Sequence, residues 1–290
     1  MAGRRTILGL AVAIAAAGAC REKPAETAAA APPPPPMPQE VTVHARDFAF
    51  DAPDTISAGL TAFKLINDGP GLHHAQLLRI DSSKTVDEAL AAIKAAKTFP
   101  VWLVASGGPN AVAPGDSNVV VQELAAGHYL WICFVDIPGH VPHFVKGMDR
   151  ELVVRPATGP AATPAAADIN VTLRSFGFDF SAPLTAGRHT FRVETAANAD
   201  QGHELVMFKL DSARTDRDFM AYMQDMYAGK AKGPPPARPV AGVAEIRGGM
   251  PVEFTTDITP GDYLLICFLP DITDGKPHFM HGMMQTIHVS

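Results

Sequence analysis

Tyr129-Leu-Trp-Ile-Cys133-Phe134, followed by Pro142-His143 and Gly147-Met148, is the stretch on which the reading of this chain turns. It recurs downstream as Tyr263-Leu-Leu-Ile-Cys267-Phe268, Pro277-His278 and Gly282-Met283. Ahead of each copy stands a further histidine, His73 in Gly71-Leu-His73-His74 and His203 in Gly202-His203-Glu204. Each half of the chain therefore offers a thiol, two imidazoles and a thioether in the order His, Cys, His, Met. One such match would be suggestive. Two in the same local setting make a duplicated pattern.

A thiolate and two imidazoles with a weak axial thioether form the donor set of a mononuclear blue copper site. The pattern assigns His73, Cys133, His143 and Met148 to one copper ion and His203, Cys267, His278 and Met283 to a second. His74 competes with His73, and the repeat selects His73, because His73 and His203 each stand eight residues before an aspartate, Asp81 and Asp211. Blue copper chemistry needs Cu(I) and Cu(II) held with little change of geometry. That calls for a cysteine at a strand end and a histidine and methionine on the loop and last strand that follow. Cys133 ends the alternating run from Tyr129, and Leu152-Val-Val154 supplies a last strand. Cys267 has the same setting, with Ile287 and Val289 in the final strand.

The rest of the chain reads in segments. Residues 1–20 look like an export signal: Arg4 and Arg5 precede an apolar run too short to span a bilayer stably. Ala17-Gly-Ala-Cys20 resembles a bacterial lipoprotein cleavage box, which makes Cys20 a lipidation site; an ordinary secretory signal is the alternative. Residues 21–39 are Pro- and Ala-rich, with prolines at 32–36, and read as a stiff linker off a membrane surface. A second such stretch, 157–167, separates a domain at 40–156 from one at 168–290, each long enough for its own core. Repeat landmarks run through both: Asp47-Phe-Ala-Phe50 against Ser175-Phe-Gly-Phe178, and Ala58-Gly59 against Ala186-Gly187. Apolar residues at period two (Val41 and Val43, Phe48 and Phe50, Phe63 and Leu65, Phe191 and Val193, Tyr129 and Trp131) predict strands. Val86, Leu90 and Ile93, and later Phe219, Met223 and Met226, follow helical spacing. The expected class is all-β, two tandem Greek-key sandwiches each with one inserted helix.

On these motifs the chain resembles the cupredoxin family over both domains. The resemblance implies a copper-binding sandwich that transfers single electrons. Two departures stand out. Nine residues separate Cys133 from His143 and ten separate Cys267 from His278. Loops of that length are unlike the small blue proteins and similar to the first domain of copper nitrite reductases. The residue after the first histidine, an asparagine that braces the cysteine loop in small family members, is His74 in one half and Glu204 in the other.

Competing readings are a disulfide between Cys133 and Cys267, which an oxidising compartment would permit, and a sandwich with one or both sites empty. His44, His128, His140, His189, His281 and His288 have no counterpart in the other half and read as surface or loop residues, with His140 a possible neighbour of the first site. Met280-His-Gly-Met-Met284 suggests loop packing around Met283 before it suggests an extra Cu(I) site. An enzyme reading loses its wiring: the neighbours of the cysteines are Ile132, Phe134, Ile266 and Phe268, not the histidine that leads to a second copper, and no His-x-His pair occurs. With 24 basic against 30 acidic residues and no basic run, nothing suggests nucleic acid, and no nucleic-acid partner is expected. The expectation is an exported, lipid-anchored protein, periplasmic or on the cell surface, that carries electrons on up to two copper ions to a partner protein. The alternative is a copper-handling or interaction module.

Overall fold

The computed structural model describes residues 36–95 and 99–290, with Met1 and Gly3. The signal segment, Cys20 and nearly all of the first Pro-rich linker lie outside the described residues.

Each half is a two-sheet sandwich. In the first half one sheet holds strands Gln39–Arg46, Ala49–Asp51, Gly59–Asn67 and Ser117–Leu124. The facing sheet runs Thr55–Ser57, Asp149–Arg155, Gly127–Ile132, Gln76–Ile80, Leu103–Ala105 in spatial order. The second half repeats the plan, with Ile169–Arg174, Gly177–Phe180, Gly187–Thr195 and Val252–Ile258 in one sheet. Its facing sheet runs Ala237–Ile246, His203–Leu210, Gly261–Ile266, Met284–Val289. A parallel pair opens each half, Gln39–Arg46 on Gly59–Asn67 and Ile169–Arg174 on Gly187–Thr195. Residues 156–168 between the halves carry neither strand nor helix.

Strand parity aims the cysteines. Successive side chains on a strand point to opposite faces. Tyr129, Trp131 and then Cys133 belong to the central core, while Leu130 and Ile132 face the layer under the first helix. Tyr263, Leu265 and Cys267 point inward in the same way, with Leu264 and Ile266 outward. The outward rows need cover. Helix α1 (Val86–Ala95) supplies it with Ala89 and Ile93, and helix α2 (Asp216–Tyr227) with Phe219. Both helices begin with a reciprocal cap: Thr85 with Glu88, and Thr215 with Asp218, each pair exchanging side-chain and backbone hydrogen bonds. The period-two reading fails at Phe48. That residue sits in the turn before Ala49–Asp51 with φ 57, and its counterpart Phe176 has φ 64. Cys133 and Cys267 are both free thiols, so they are not bridged.

The halves share more than a linker. Ser117–Leu124 pairs antiparallel with Val252–Ile258, which fuses the two outer sheets into one of eight strands. On the other layer Ser106 bridges Ile246 and Pro109 bridges Val243. Buried amides finish this seam: Gln76 Nε2 donates to the Glu245 carbonyl at 3.1 Å and Asn118 Nδ2 to the Gly242 carbonyl at 2.8 Å. At its rim Arg238 Nε meets Asp116 at 2.7 Å. Gly242 is required by closeness: a Cβ there would stand 2.5 Å from the Leu205 carbonyl oxygen and 3.0 Å from Asn110 Cβ. We therefore expect Gly242→Ala to crowd both the neighbouring Leu205 strand and the seam and to destabilise the protein by about 1–3 kcal/mol, the usual cost of overpacking. A thermal unfolding midpoint equal to that of the wild type would contradict this account of the seam.

Candidate metal centres

The long loops close in the same way in the two halves. After Cys133, the chain returns so that His143 opens a short 3₁₀ turn, His143–Lys146; after Cys267, His278 opens His278–His281. Each turn ends on a glycine in the left-handed region, Gly147 at φ 100 and Gly282 at φ 106, where a side chain would be strained. The next residue is the methionine. Its carbonyl accepts from the cysteine amide, Cys133 N to Met148 O and Cys267 N to Met283 O, both at 3.2 Å. The methionine amide returns to the histidine carbonyl, at 3.3 Å for Met148 and 3.1 Å for Met283. The cysteine carbonyl in turn accepts from Phe144 or Phe279.

These loops bring the expected donors together. His73, Cys133 and His143 place one ligand atom each within 4.8 Å of one another, and His203, Cys267 and His278 do the same. In both halves the two Nδ1 atoms are 3.1 Å apart. The sulfur lies 3.5 Å from His143 Nδ1 and 3.3 Å from His278 Nδ1. Nitrogens bound at about 2.0 Å in a trigonal array lie about 3.5 Å apart, so these pockets are near the size an ion needs. Met148 and Met283 are fully buried in the same apolar cluster as the cysteines. His73 Nδ1 joins the first cluster. His74, by contrast, turns its Nε2 to the Phe134 amide at 2.9 Å. Glu204 does the equivalent work in the second half, its Oε1 accepting from the Phe268 amide at 2.8 Å. The cysteine loops are thus braced despite the unusual residues at these positions.

The donor set fits copper. One sulfur and two imidazoles in an apolar, buried pocket suit a soft or borderline ion and are poor company for calcium or magnesium. The local electrostatics also keep the imidazoles neutral and ready to ligate. Burial lowers His143 and His203 to about 4, reinforced by the facing imidazoles, and lowers His73 and His278 as well. Burial pushes the Cys133 thiol up to about 12 and holds Cys267 well above the usual thiol range, where the Glu204 carboxylate adds to the effect.

Sequence reasoning missed several site residues. Phe48 packs edge-on against His143 with centroids 5.1 Å apart, and Phe176 against His278 at 5.4 Å. Both hold a backbone conformation that costs a bulky residue about 1–3 kcal/mol, here at the same place in each half. The repeat Asp47-Phe-Ala-Phe50 against Ser175-Phe-Gly-Phe178 carried that signal. Asp47 is the other omission. Its Oδ1 lies 3.2 Å from His73 Nε2, whereas His203 Nε2 is buried with no hydrogen-bond partner among the described residues and Ser175 stands at the position of Asp47. His140 leaves the first site and stacks on Tyr227 at 4.2 Å. Met284 packs under α2, Met280 is exposed, and His281 pairs with Asp274 at 3.2 Å.

No known family profile matches the chain, and no curated protein matches it. Among solved structures it is similar to auracyanin B, at 18% identity over 44% of this chain and 93% of that one, TM-score 0.29. Auracyanin A, a "blue" copper protein from Chloroflexus aurantiacus, is 24% identical over 41% of this chain and 100% of its own, TM-score 0.29. The blue copper oxidase from Nitrosomonas europaea matches along both halves, 15% identical over 87% of this chain and 86% of its own, TM-score 0.27.

Two pH effects follow. His143 and His203 have folded values near 4 against an ordinary 6.5, so protons favour the unfolded chain. Their stabilising contribution is complete above pH 6.5 and is lost as pH falls toward 4. Metal uptake at pH 7 should release about one proton per ion, from the thiol, because the imidazoles are already neutral. Release of two or more per ion, measured in weakly buffered solution, would contradict this charge assignment. By sheet topology and by the order of donors along the chain, each half is a two-sheet β-sandwich that carries the donor order His, Cys, His, Met.

Proposed function

We propose that the chain is an exported copper protein that passes single electrons through two type 1 sites. The observation that carries the reading is the duplication of a buried His, Cys, His pocket whose facing imidazole nitrogens stand 3.1 Å apart in both halves. His73, Cys133, His143 and Met148 would hold one ion; His203, Cys267, His278 and Met283 would hold the other. Bound copper supplies the one-electron couple. The protein contributes rigidity. The cysteine and methionine are tied through the backbone, the histidines are wedged by Phe48 and Phe176, and the amides after the cysteines are held by His74 and Glu204. A pocket fixed in this way need not rearrange when the ion gains or loses charge, which keeps electron exchange fast. Electrons would pass to and from a partner protein outside the cytoplasm, with Cys20 as the lipid anchor. No helix among the described residues is long and apolar enough to cross a membrane.

Cu(II) added to the purified protein tests the reading. Intense visible thiolate-to-copper absorption with reversible voltammetry is the expected result. Tight Cu(I) binding without colour would instead make this a copper-handling module. Cys133→Ser and Cys267→Ser should each remove one equivalent of copper and leave the other site's spectrum in place. If either change alone abolished both, the assignment of two separate donor sets would be wrong.

The axial position gives a finer test. A long thioether bond tunes potential more than it provides affinity. Met148→Leu and Met283→Leu should therefore keep the copper and its colour while raising the reduction potential, since losing the thioether disfavours Cu(II). His143→Ala or His278→Ala should change the spectrum strongly. Unchanged potentials in the methionine variants together with unchanged spectra in the histidine variants would exclude these loops as ligands.

A further inference from the structure

The loop that carries His143 does not stand on its own half alone. Between Val135 and His143 the chain folds into a small hairpin, Asp136–Ile137 against Val141–Pro142, which pairs with no other strand among the described residues. A two-stranded ribbon of this size is marginal in water and needs something to lie on. Its tip rests on the end of α2, in the second half. Gly139 N donates to the Tyr227 carbonyl at 3.0 Å. The His140 ring stacks on the Tyr227 ring with centroids 4.2 Å apart and planes 17° from parallel.

Both contacts follow from what the two segments lack. Tyr227 is the last residue of α2, and the final carbonyls of a helix have no partner within it. The hairpin tip supplies one. Gly139 and His140 both hold left-handed backbone, φ 89 and 57, a conformation that histidine tolerates better than most side chains. That turn presents the Gly139 amide and the His140 ring to the same residue. The hairpin is tied in turn to the ligand: His143 follows Pro142 directly, and its amide donates to the Val135 carbonyl at 2.9 Å. Both ends of the hairpin therefore meet at the histidine.

The second ligand loop is built differently. Asp271 N donates to the Lys276 carbonyl and Gly275 N to the Asp271 carbonyl, both at 2.8 Å. Gln201 spans the same loop, its Nε2 donating to Asp271 Oδ2 at 2.8 Å and its Oε1 accepting from the Ile272 amide at 3.0 Å. Every one of these partners belongs to the second half.

We infer that Tyr227 is a positioning residue for the first centre: the end of α2 fixes the 136–142 hairpin and, through it, His143, so the first ligand loop is set by both halves and the second by its own. The inference rests on the copper reading only for its spectra; the hairpin contact can be read without metal.

The experiment uses the metal-free full chain and amide hydrogen exchange. Tyr227→Ala should speed exchange at Gly139 and His143 by about tenfold relative to amides of the core strands, the scale of one lost aromatic stack. The His278 amide, which donates to the Leu269 carbonyl at 2.8 Å, should keep its wild-type rate. Tyr227→Phe keeps the ring and should restore wild-type exchange at both. His140→Asn removes the same stack from a side chain that is 67% exposed, and asparagine accepts the left-handed turn. It should speed the same two amides, and it carries the test if Tyr227→Ala does not fold. Because both changes remove one contact, the double variant should exchange no faster than either alone. In copper-loaded protein, Tyr227→Ala should shift the absorption maximum of the first site, isolated in a Cys267→Ser background. The second site, isolated in a Cys133→Ser background, should keep its own. Wild-type exchange at His143 in either variant, or equal acceleration at His143 and His278, overturns the positioning role. A wild-type protein that takes up no copper overturns the functional reading instead, and the exchange result still decides the role of Tyr227.

Discussion

The structure depends on one backbone closure made twice: the amide of a cysteine just past a strand end, bonded to the carbonyl of the methionine just before the return strand. Cys133 N meets Met148 O and Cys267 N meets Met283 O at the same 3.2 Å. The closure fixes the ends of a loop long enough to have wandered. Within it the second histidine is held by its own carbonyl bond to the methionine amide, and a left-handed glycine makes the corner. Strand parity does the rest, turning Cys133 and Cys267 into the sandwich while their neighbours Ile132 and Ile266 face the helices.

Around this shared frame the two pockets are charged differently. The first has a carboxylate behind a histidine, Asp47 on His73, and a neutral imidazole at the cysteine loop. The second has, among the described residues, no partner behind His203 and a buried carboxyl, Glu204, at the cysteine loop, with burial raising its proton affinity. A negative group beside a thiolate favours the more oxidised metal, whereas a carboxylate behind an imidazole strengthens that ligand. Duplication has therefore preserved geometry while letting the electrostatics diverge.

Much of this was legible in the chain because the informative features are short and periodic. The alternation from Tyr129 to Trp131 gave the strand and the inward face, and the spacing of Val86, Leu90 and Ile93 gave α1. The donor order was readable because each donor type is rare. What escaped depends on contacts between distant residues. Phe48 reads as a strand position by period two, yet its left-handed turn is dictated by packing on His143, which lies far along the chain. The fused eight-stranded sheet could not be read at all, since the pairing of Val120 with Phe254 has no local signature. Nor could the contact of His140 with Tyr227, which joins the two halves. His74 and Glu204 looked like departures from a bracing asparagine because sequence shows residue type and not which atom faces the amide.

The most direct measurement is X-ray absorption at the copper edge on the loaded protein, with copper counted per chain. The account predicts two ions per chain, each with one short copper–sulfur contact and two imidazole nitrogens. A spectrum fitted by nitrogen and oxygen donors alone, without a short sulfur, would contradict the central claim that these loops are ligand loops.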